Sequence, residues 1–74
     1  MSRIHPTAIV DRRAVIHEDV EIGPYCVIGP EVTIGPGCRL HNNVTIVGRT
    51  TIGAENEFYP FVVAGEPPQD LKYK

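Results

Sequence analysis

The sequence predicts an all-β fold, a parallel β-helix of triangular cross-section. Three observations carry this: an apolar residue at every sixth position, glycine and often proline directly after it, and a side-chain alternation that breaks at each such corner. Stepping by six from Ile4 gives Ile4, Val10, Ile16, Ile22, Ile28, Ile34, Leu40, Ile46, Ile52, Phe58 and Ala64, all apolar. At 42% hydrophobic composition such a run arises by chance roughly once in ten thousand trials, before the choice of phase.

The corners come next. Gly23, Gly29, Gly35, Gly53 and Gly65 each follow one of these apolar residues, and Pro24, Pro30 and Pro36 follow three of the glycines. Glycine is expected to supply backbone conformations closed to other residues, and proline to preset φ at a bend. Each hexad therefore reads as a short strand, such as Val32-Thr33-Ile34, with its side chains in, out, in, followed by a turn. A helix would need apolar spacings of three and four and would not tolerate Gly-Pro every six residues. A small antiparallel β domain with Gly-Pro turns is the competing reading, and it does not account for eleven regular hexads.

Three hexads per coil stack residues eighteen apart, which gives about three and a half coils. Ile4, Ile22, Leu40 and Phe58 form one interior column, Val10, Ile28 and Ile46 a second, and Ile16, Ile34 and Ile52 a third. Four residues after each apolar position runs a second inward register of mostly small or β-branched residues, from Ala8 and Ala14 through Val20, Cys26, Val32, Cys38 and Val44 to Val62. Cys26 and Cys38 read as small buried residues. Two cysteines in a chain without a secretion signal are weak evidence for a disulfide, and no Cys/His spacing suggests zinc. The repeat is expected over residues 1–65, with residues 66–74 leaving it as a loop.

The outward positions differ by face. One shows Thr7, Ile9, Tyr25, Val27, Asn43, Thr45, Phe61 and Val63, mostly apolar. On the others, Arg13, Glu31 and Arg49, and Glu21, Arg39 and Glu57, read as charge-alternating ladders on solvated surfaces. An apolar face on a small solenoid is a contact surface. The expectation is a homotrimer formed through Ile9, Tyr25, Val27, Phe61 and Val63.

Composition excludes several classes. Seven basic against nine acidic side chains leave no footprint for nucleic acid and no polybasic membrane segment. No apolar run approaches membrane-spanning length, and the first residues lack a signal-peptide core, so a soluble cytoplasmic protein is expected. His5, His17 and His41 occupy the same hexad position, the slot glycine otherwise fills. His5 and His41 share a corner two coils apart and His17 lies at another, which makes neither a metal cluster nor a triad. No cofactor or metal is expected. In the segment Glu66-Pro67-Pro68-Gln69-Asp70-Leu71-Lys72-Tyr73-Lys74, Asp70 suits a sugar hydroxyl or amide and Lys72 an anion, while a frayed terminal tail is the alternative reading.

The opening Ile4-His5-Pro6-Thr7-Ala8-Ile9-Val10 and the run Ile22-Gly23-Pro24-Tyr25-Cys26-Val27-Ile28-Gly29-Pro30 resemble the first coils of the acyl-[acyl-carrier-protein]–UDP-N-acetylglucosamine O-acyltransferases. The run from Gly65 to Lys74 is similar to that family's distinguishing loop and is the more discriminating piece. The resemblance covers the whole chain but only the N-terminal part of a family member. It implies a left-handed coil and a trimeric enzyme that moves a 3-hydroxyacyl chain from acyl carrier protein to the 3-hydroxyl of UDP-N-acetylglucosamine, opening lipid A synthesis. By motif, Gln69 meets the acyl hydroxyl, Asp70 the sugar, and Lys72 the same cleft. The family's catalytic His lies in a later coil, and His5, His17 and His41 do not match it, so these 74 residues alone are expected to be inactive. A non-catalytic trimerising solenoid and a segment of a sibling hexapeptide acyltransferase are the alternatives.

Overall fold

The computed structural model describes residues 2–65. They form eleven short strands: β1 (Arg3–Ile4), β2 (Ile9–Val10), β3 (Val15–Ile16), β4 (Glu21–Ile22), β5 (Val27–Ile28), β6 (Val32–Ile34), β7 (Arg39–Leu40), β8 (Thr45–Ile46), β9 (Thr50–Ile52), β10 (Glu57–Phe58) and β11 (Val63–Ala64). Every pairing is parallel and joins strands three apart in sequence. The first sheet runs β1-β4-β7-β10, the second β2-β5-β8-β11 and the third β3-β6-β9. The expected parallel β-helix is what forms.

The register is the eighteen-residue step. Ile4 pairs with Ile22, Ile22 with Leu40 and Leu40 with Phe58. Val10 pairs with Ile28 and Ile28 with Ile46, while Ile16 pairs with Ile34 and Ile34 with Ile52. The core is fullest where a coil lies above and below. Val20, Ile22, Cys26, Ile28, Val32, Ile34, Cys38, Leu40, Val44 and Ile46 are buried, and Val10, Ile16, Ile52 and Phe58 pack partly exposed against them. Both cysteines are free thiols. Each caps a carbonyl of the neighbouring rung, Cys26 Sγ donating to His41 O at 3.4 Å and Cys38 Sγ to Gly53 O at 3.0 Å. Small size and a weak donor suit the thiol to that slot.

The glycines behave differently from the expectation. Left-handed backbone falls on Asp19, Tyr25, Asn43, Glu55 and Phe61, and on Gly37, Gly48 and Gly65. Of the glycines that directly follow the apolar column, only Gly65 has positive φ, at 82°. Gly23 is required instead by close approach. A Cβ there would collide with the carbonyl oxygen of His41, with the carbonyl carbon 2.8 Å away. Turning the backbone to positive φ lets Asn43 N–H donate to Pro24 O at 3.0 Å and Glu55 N–H to Pro36 O at 2.9 Å, so the corners are stitched rung to rung.

Candidate functional site

Two surfaces of the prism carry chemistry, and they meet along the corner between the first and second sheets. The first surface is an open groove of about 620 Å³ lined by Arg3, His5, Glu21, Tyr25, Arg39, His41 and Asn43 among others. It runs along β1, β4 and β7, and its polar lining residues belong to the first sheet and to the corner after it.

Those side chains are mutually engaged. Glu21 holds both Arg3 and Arg39, the latter at 3.1 Å from Nε. His41 Nε2 lies 2.6 Å from Glu57 Oε2, and its ring stacks on Tyr59 with centroids 5.0 Å apart. Lower on the same corner, Tyr25 N–H donates to Thr7 Oγ1 at 3.1 Å, and Thr7 N–H donates to His5 Nδ1 at 3.2 Å. The Thr7 hydroxyl, 2.9 Å from the same nitrogen, is placed to donate to it as well, which leaves the ring proton of His5 on Nε2. Glu57 and Tyr59 are the partners that the sequence reading missed. The available signal was the rung step, because Tyr59 is eighteen residues after His41.

His5 and His41 thus share a corner, as expected, with Gly23 on the rung between them. His17 stands at the corner between the third and first sheets, its backbone carbonyl accepting from Ser2 Oγ at 2.7 Å. Among the described residues no group of three or more His, Cys, Asp and Glu is placed to hold a metal ion. The imidazole–carboxylate pair His41–Glu57 has the geometry that orients a base, but Glu57 takes up its Nε2 and Tyr59 covers a ring face.

The second surface is the outward side of the second sheet. Ile9, Tyr25, Phe61 and Val63 are 66%, 63%, 77% and 58% exposed, which is a large apolar investment for so small a body. Val27 is half-buried between Ile9 and Thr45. The expected ladders form in part. Glu31 pairs with Arg49 at 3.8 Å, but Arg13 turns to Asp11 at 3.2 Å, and Glu57 goes to His41. The Arg13 guanidinium and backbone N–H both donate to Asp11, which holds that carboxyl below its ordinary range and raises Arg13 in turn.

Gln69, Asp70 and Lys72 lie outside the described residues. The described chain reaches Gly65, at the corner between the second and third sheets. A Cβ on Gly65 would overlap Thr50 Oγ1 and Val47 O, and one on Gly48 would come within 2.6 Å of Gly65 O. Two glycines therefore hold the chain flat against the rung below just before the segment that contains those residues. No helix among the described residues is long and apolar enough to cross a membrane.

Comparison with known proteins matches this pattern along the whole chain. An acyl-[acyl-carrier-protein]–UDP-N-acetylglucosamine O-acyltransferase of Thermodesulfovibrio yellowstonii is 53% identical over 74 residues, covering 100% of this chain and 29% of the relative. The enzyme of the same name from Akkermansia muciniphila is 58% identical, again over 100% of this chain and 29% of its own length. The structure of LpxA from Acinetobacter baumannii superposes with a TM-score of 0.87 at 59% identity, covering 96% of this chain and 28% of that one. The chain thus spans under a third of the length of the relatives it matches, their N-terminal portion, and shares with them the left-handed β-helix. The family model described as the GMPPB C-terminal domain matches residues 4–64, so the chain belongs to that family of hexapeptide-repeat solenoids and its similarity within it runs to the acyl-[acyl-carrier-protein]–UDP-N-acetylglucosamine O-acyltransferases.

Proposed function

We propose that this chain is the first solenoid stretch of a cytoplasmic acyltransferase that moves a 3-hydroxyacyl chain from acyl carrier protein to the 3-hydroxyl of UDP-N-acetylglucosamine, the opening step of lipid A synthesis. The observation that carries the reading is the match over 74 residues, at more than half identity, to enzymes named for that donor and acceptor. In this reading Asp70 accepts a hydrogen bond from the sugar, Gln69 meets the acyl hydroxyl and Lys72 binds in the same cleft. The general base is a His outside these 74 residues. His5 Nδ1 accepts from Thr7 and His41 Nε2 is held by Glu57, so neither is set up to take a proton from a sugar hydroxyl.

The active form is a homotrimer built through Ile9, Tyr25, Val27, Phe61 and Val63. Burying exposed apolar surface of this extent favours association at roughly 25 cal/mol per Å² before the cost of lost freedom. Two measurements test the proposal. In the intact protein, acylation of UDP-N-acetylglucosamine by 3-hydroxyacyl carrier protein should fall at least about tenfold, a change of about 1.4 kcal/mol in the barrier, in Asp70→Asn and in Lys72→Ala. Unchanged turnover in both would reject the assignment of the loop. The double change Val27→Glu with Val63→Glu should lower the sedimenting mass; an unaltered mass rejects the face.

The second reading, a solenoid that assembles without catalysing, is favoured by the engaged state of His5 and His41 and by the apolar face. The two readings part in the intact protein: both leave the 74-residue chain without acyl transfer above a no-enzyme blank, but only the first gives transfer when the intact protein is assayed.

A further inference from the structure

We infer that Gly48, Thr50 and Gly65 form a seat that sets the heading of the chain at Gly65. Through it these three act as positioning residues for Asp70, a role that rests on the sugar contact proposed above and adds what aims the segment making it.

The lower rungs show what this corner needs for folding alone. Asp11, Gly29, Val47 and Gly65 stack eighteen residues apart between the second and third sheets. Asp11, Gly29 and Val47 turn the corner without left-handed backbone, whereas Gly65 has φ of 82°. One position on, Arg12 and Pro30 are not left-handed either, but Gly48 has φ of 73°. On the inward register that follows, Ala14 and Val32 give way to Thr50, a hydroxyl where the rungs below have only hydrocarbon. The corner therefore departs from its own repeat three times, and each departure lies at its upper end.

The three departures are in contact. Thr50 Oγ1 donates to Val47 O at 2.8 Å. Gly65 lies over that pair: a Cβ on it would overlap Thr50 Oγ1 and Val47 O, with Thr50 Cβ only 3.2 Å away. A Cβ on Gly48 would come within 2.6 Å of Gly65 O, so the bare Gly48 leaves that carbonyl its place. Gly29 gives the contrast, because a Cβ there would find Val47 Cα at 3.4 Å, an ordinary contact. The ladder itself does not depend on the seat, since Val47 N–H donates to Ala64 O at 3.1 Å as on other rungs.

A corner shaped for stability alone would repeat the apolar Ala14 and Val32 at Thr50 and a turn like that of Gly29 at Gly65. What sets Gly65 apart is its place in the sequence. Gln69, Asp70 and Lys72 follow it by four, five and seven residues. A change of heading at Gly65 is carried along so short a segment, and a misplacement of about 1 Å costs a reaction on the order of a hundredfold.

A double-mutant cycle in the intact protein tests the seat. A methyl cannot take the place of the Thr50 hydroxyl 2.8 Å from Val47 O, because C–H···O contacts lie at about 3.3–3.6 Å. Thr50→Val therefore displaces Val47 O or Gly65, while Thr50→Ser keeps the donor. In Thr50→Val, kcat/KM for UDP-N-acetylglucosamine should fall at least about tenfold. It should return to within about twofold of wild type in Thr50→Ser and stay there in Gly29→Ala. In an Asp70→Asn background Thr50→Val should change it by less than about twofold, because residues that act through one contact are not additive. If Thr50→Val does not fold, Thr50→Ala removes the donor without crowding, and the same non-additivity is expected. Additive losses, an unchanged kcat/KM in Thr50→Val or an equal loss in Gly29→Ala overturns the seat, while a loss in Asp70→Asn leaves the sugar contact standing. No loss in Asp70→Asn overturns both.

Discussion

The backbone carbonyl of His41 occupies the space that a side chain on Gly23 would need. The contact is backbone against backbone, one rung apart, and Gly23 N–H donates to Leu40 O at 2.9 Å in the same place. Gly23→Ala therefore forces the two rungs apart and should cost more than the about 3 kcal/mol that bounds most substitutions. Gly53 offers the contrast. Its Cβ would find only Asn56 Nδ2 at 3.7 Å, and its φ is not left-handed. Gly53→Ala should stabilise by about 0.4–1 kcal/mol through the unfolded chain. Urea denaturation of the pair reads both signs, and equal effects would contradict the account.

Ile28 and Ile46 are stacked partners in the buried middle of the second column, 1% and 0% exposed. Truncating Ile28 to Ala should cost about 2–5 kcal/mol, because rungs above and below prevent collapse into the cavity. Ile4 sits in an equivalent slot of the first column but is 45% exposed. Ile4→Ala should cost clearly less in the same thermal or denaturant melt, and parity between the two would mean that the end rung is as well packed as the middle one.

Acid should release one local contact at the corner between the second and third sheets. Asp11 is held below its ordinary value of 3.8 chiefly by the side-chain hydrogen bonds from Arg13 and then by the Arg13 backbone N–H. A depressed carboxylate contributes stability above its unfolded value and loses it as pH falls through the folded one. The loss therefore begins near the ordinary carboxylate range and completes below it. Carboxyl-carbon NMR should show Asp11 titrating below 3.8, and Arg13→Ala should return it upward; a midpoint at or above the ordinary value in the wild-type chain counts against the pairing. The effect on global stability is small, because Arg13 is largely in water.

The thiols offer a check on the interior. Cys26 and Cys38 are buried and face carbonyls of the adjacent rung. A thiol-specific reagent should leave both unmodified in the folded protein and label both once denaturant is added. Rapid labelling of either under native conditions would place it on the surface.

Much of this was legible from spacing alone, because the period is a property of backbone geometry and survives any exchange among apolar residues. Ile22, Leu40 and Phe58 fell in one column for that reason. Side-chain pairing was less legible. Arg13 had Glu31 one rung up as a candidate, yet Asp11 won because an Asx turn already brings its oxygen to the Arg13 backbone at 2.9 Å. The rung step places Glu57 in the Arg39 ladder, whereas Glu21 satisfies Arg39 and leaves Glu57 to His41. The spacing places the corner glycines but does not give their reason, since close approach, as at Gly23 and Gly35, and left-handed φ, as at Gly65, leave the same letter in the sequence. The groove was invisible because its walls come from residues as far apart as Arg3 and Asn43. Gln69, Asp70 and Lys72 rest on a motif alone and lie outside the described residues.

The buried set begins at Val20 and stops at Ile46, while the rungs on either side keep their interiors half open. Such a stack behaves as a linear zipper whose terminal teeth part first. Amide protons of β1 and β10 should trade with deuterium long before those of β5 and β6, and the difference in their rates measures how firmly one rung holds the next.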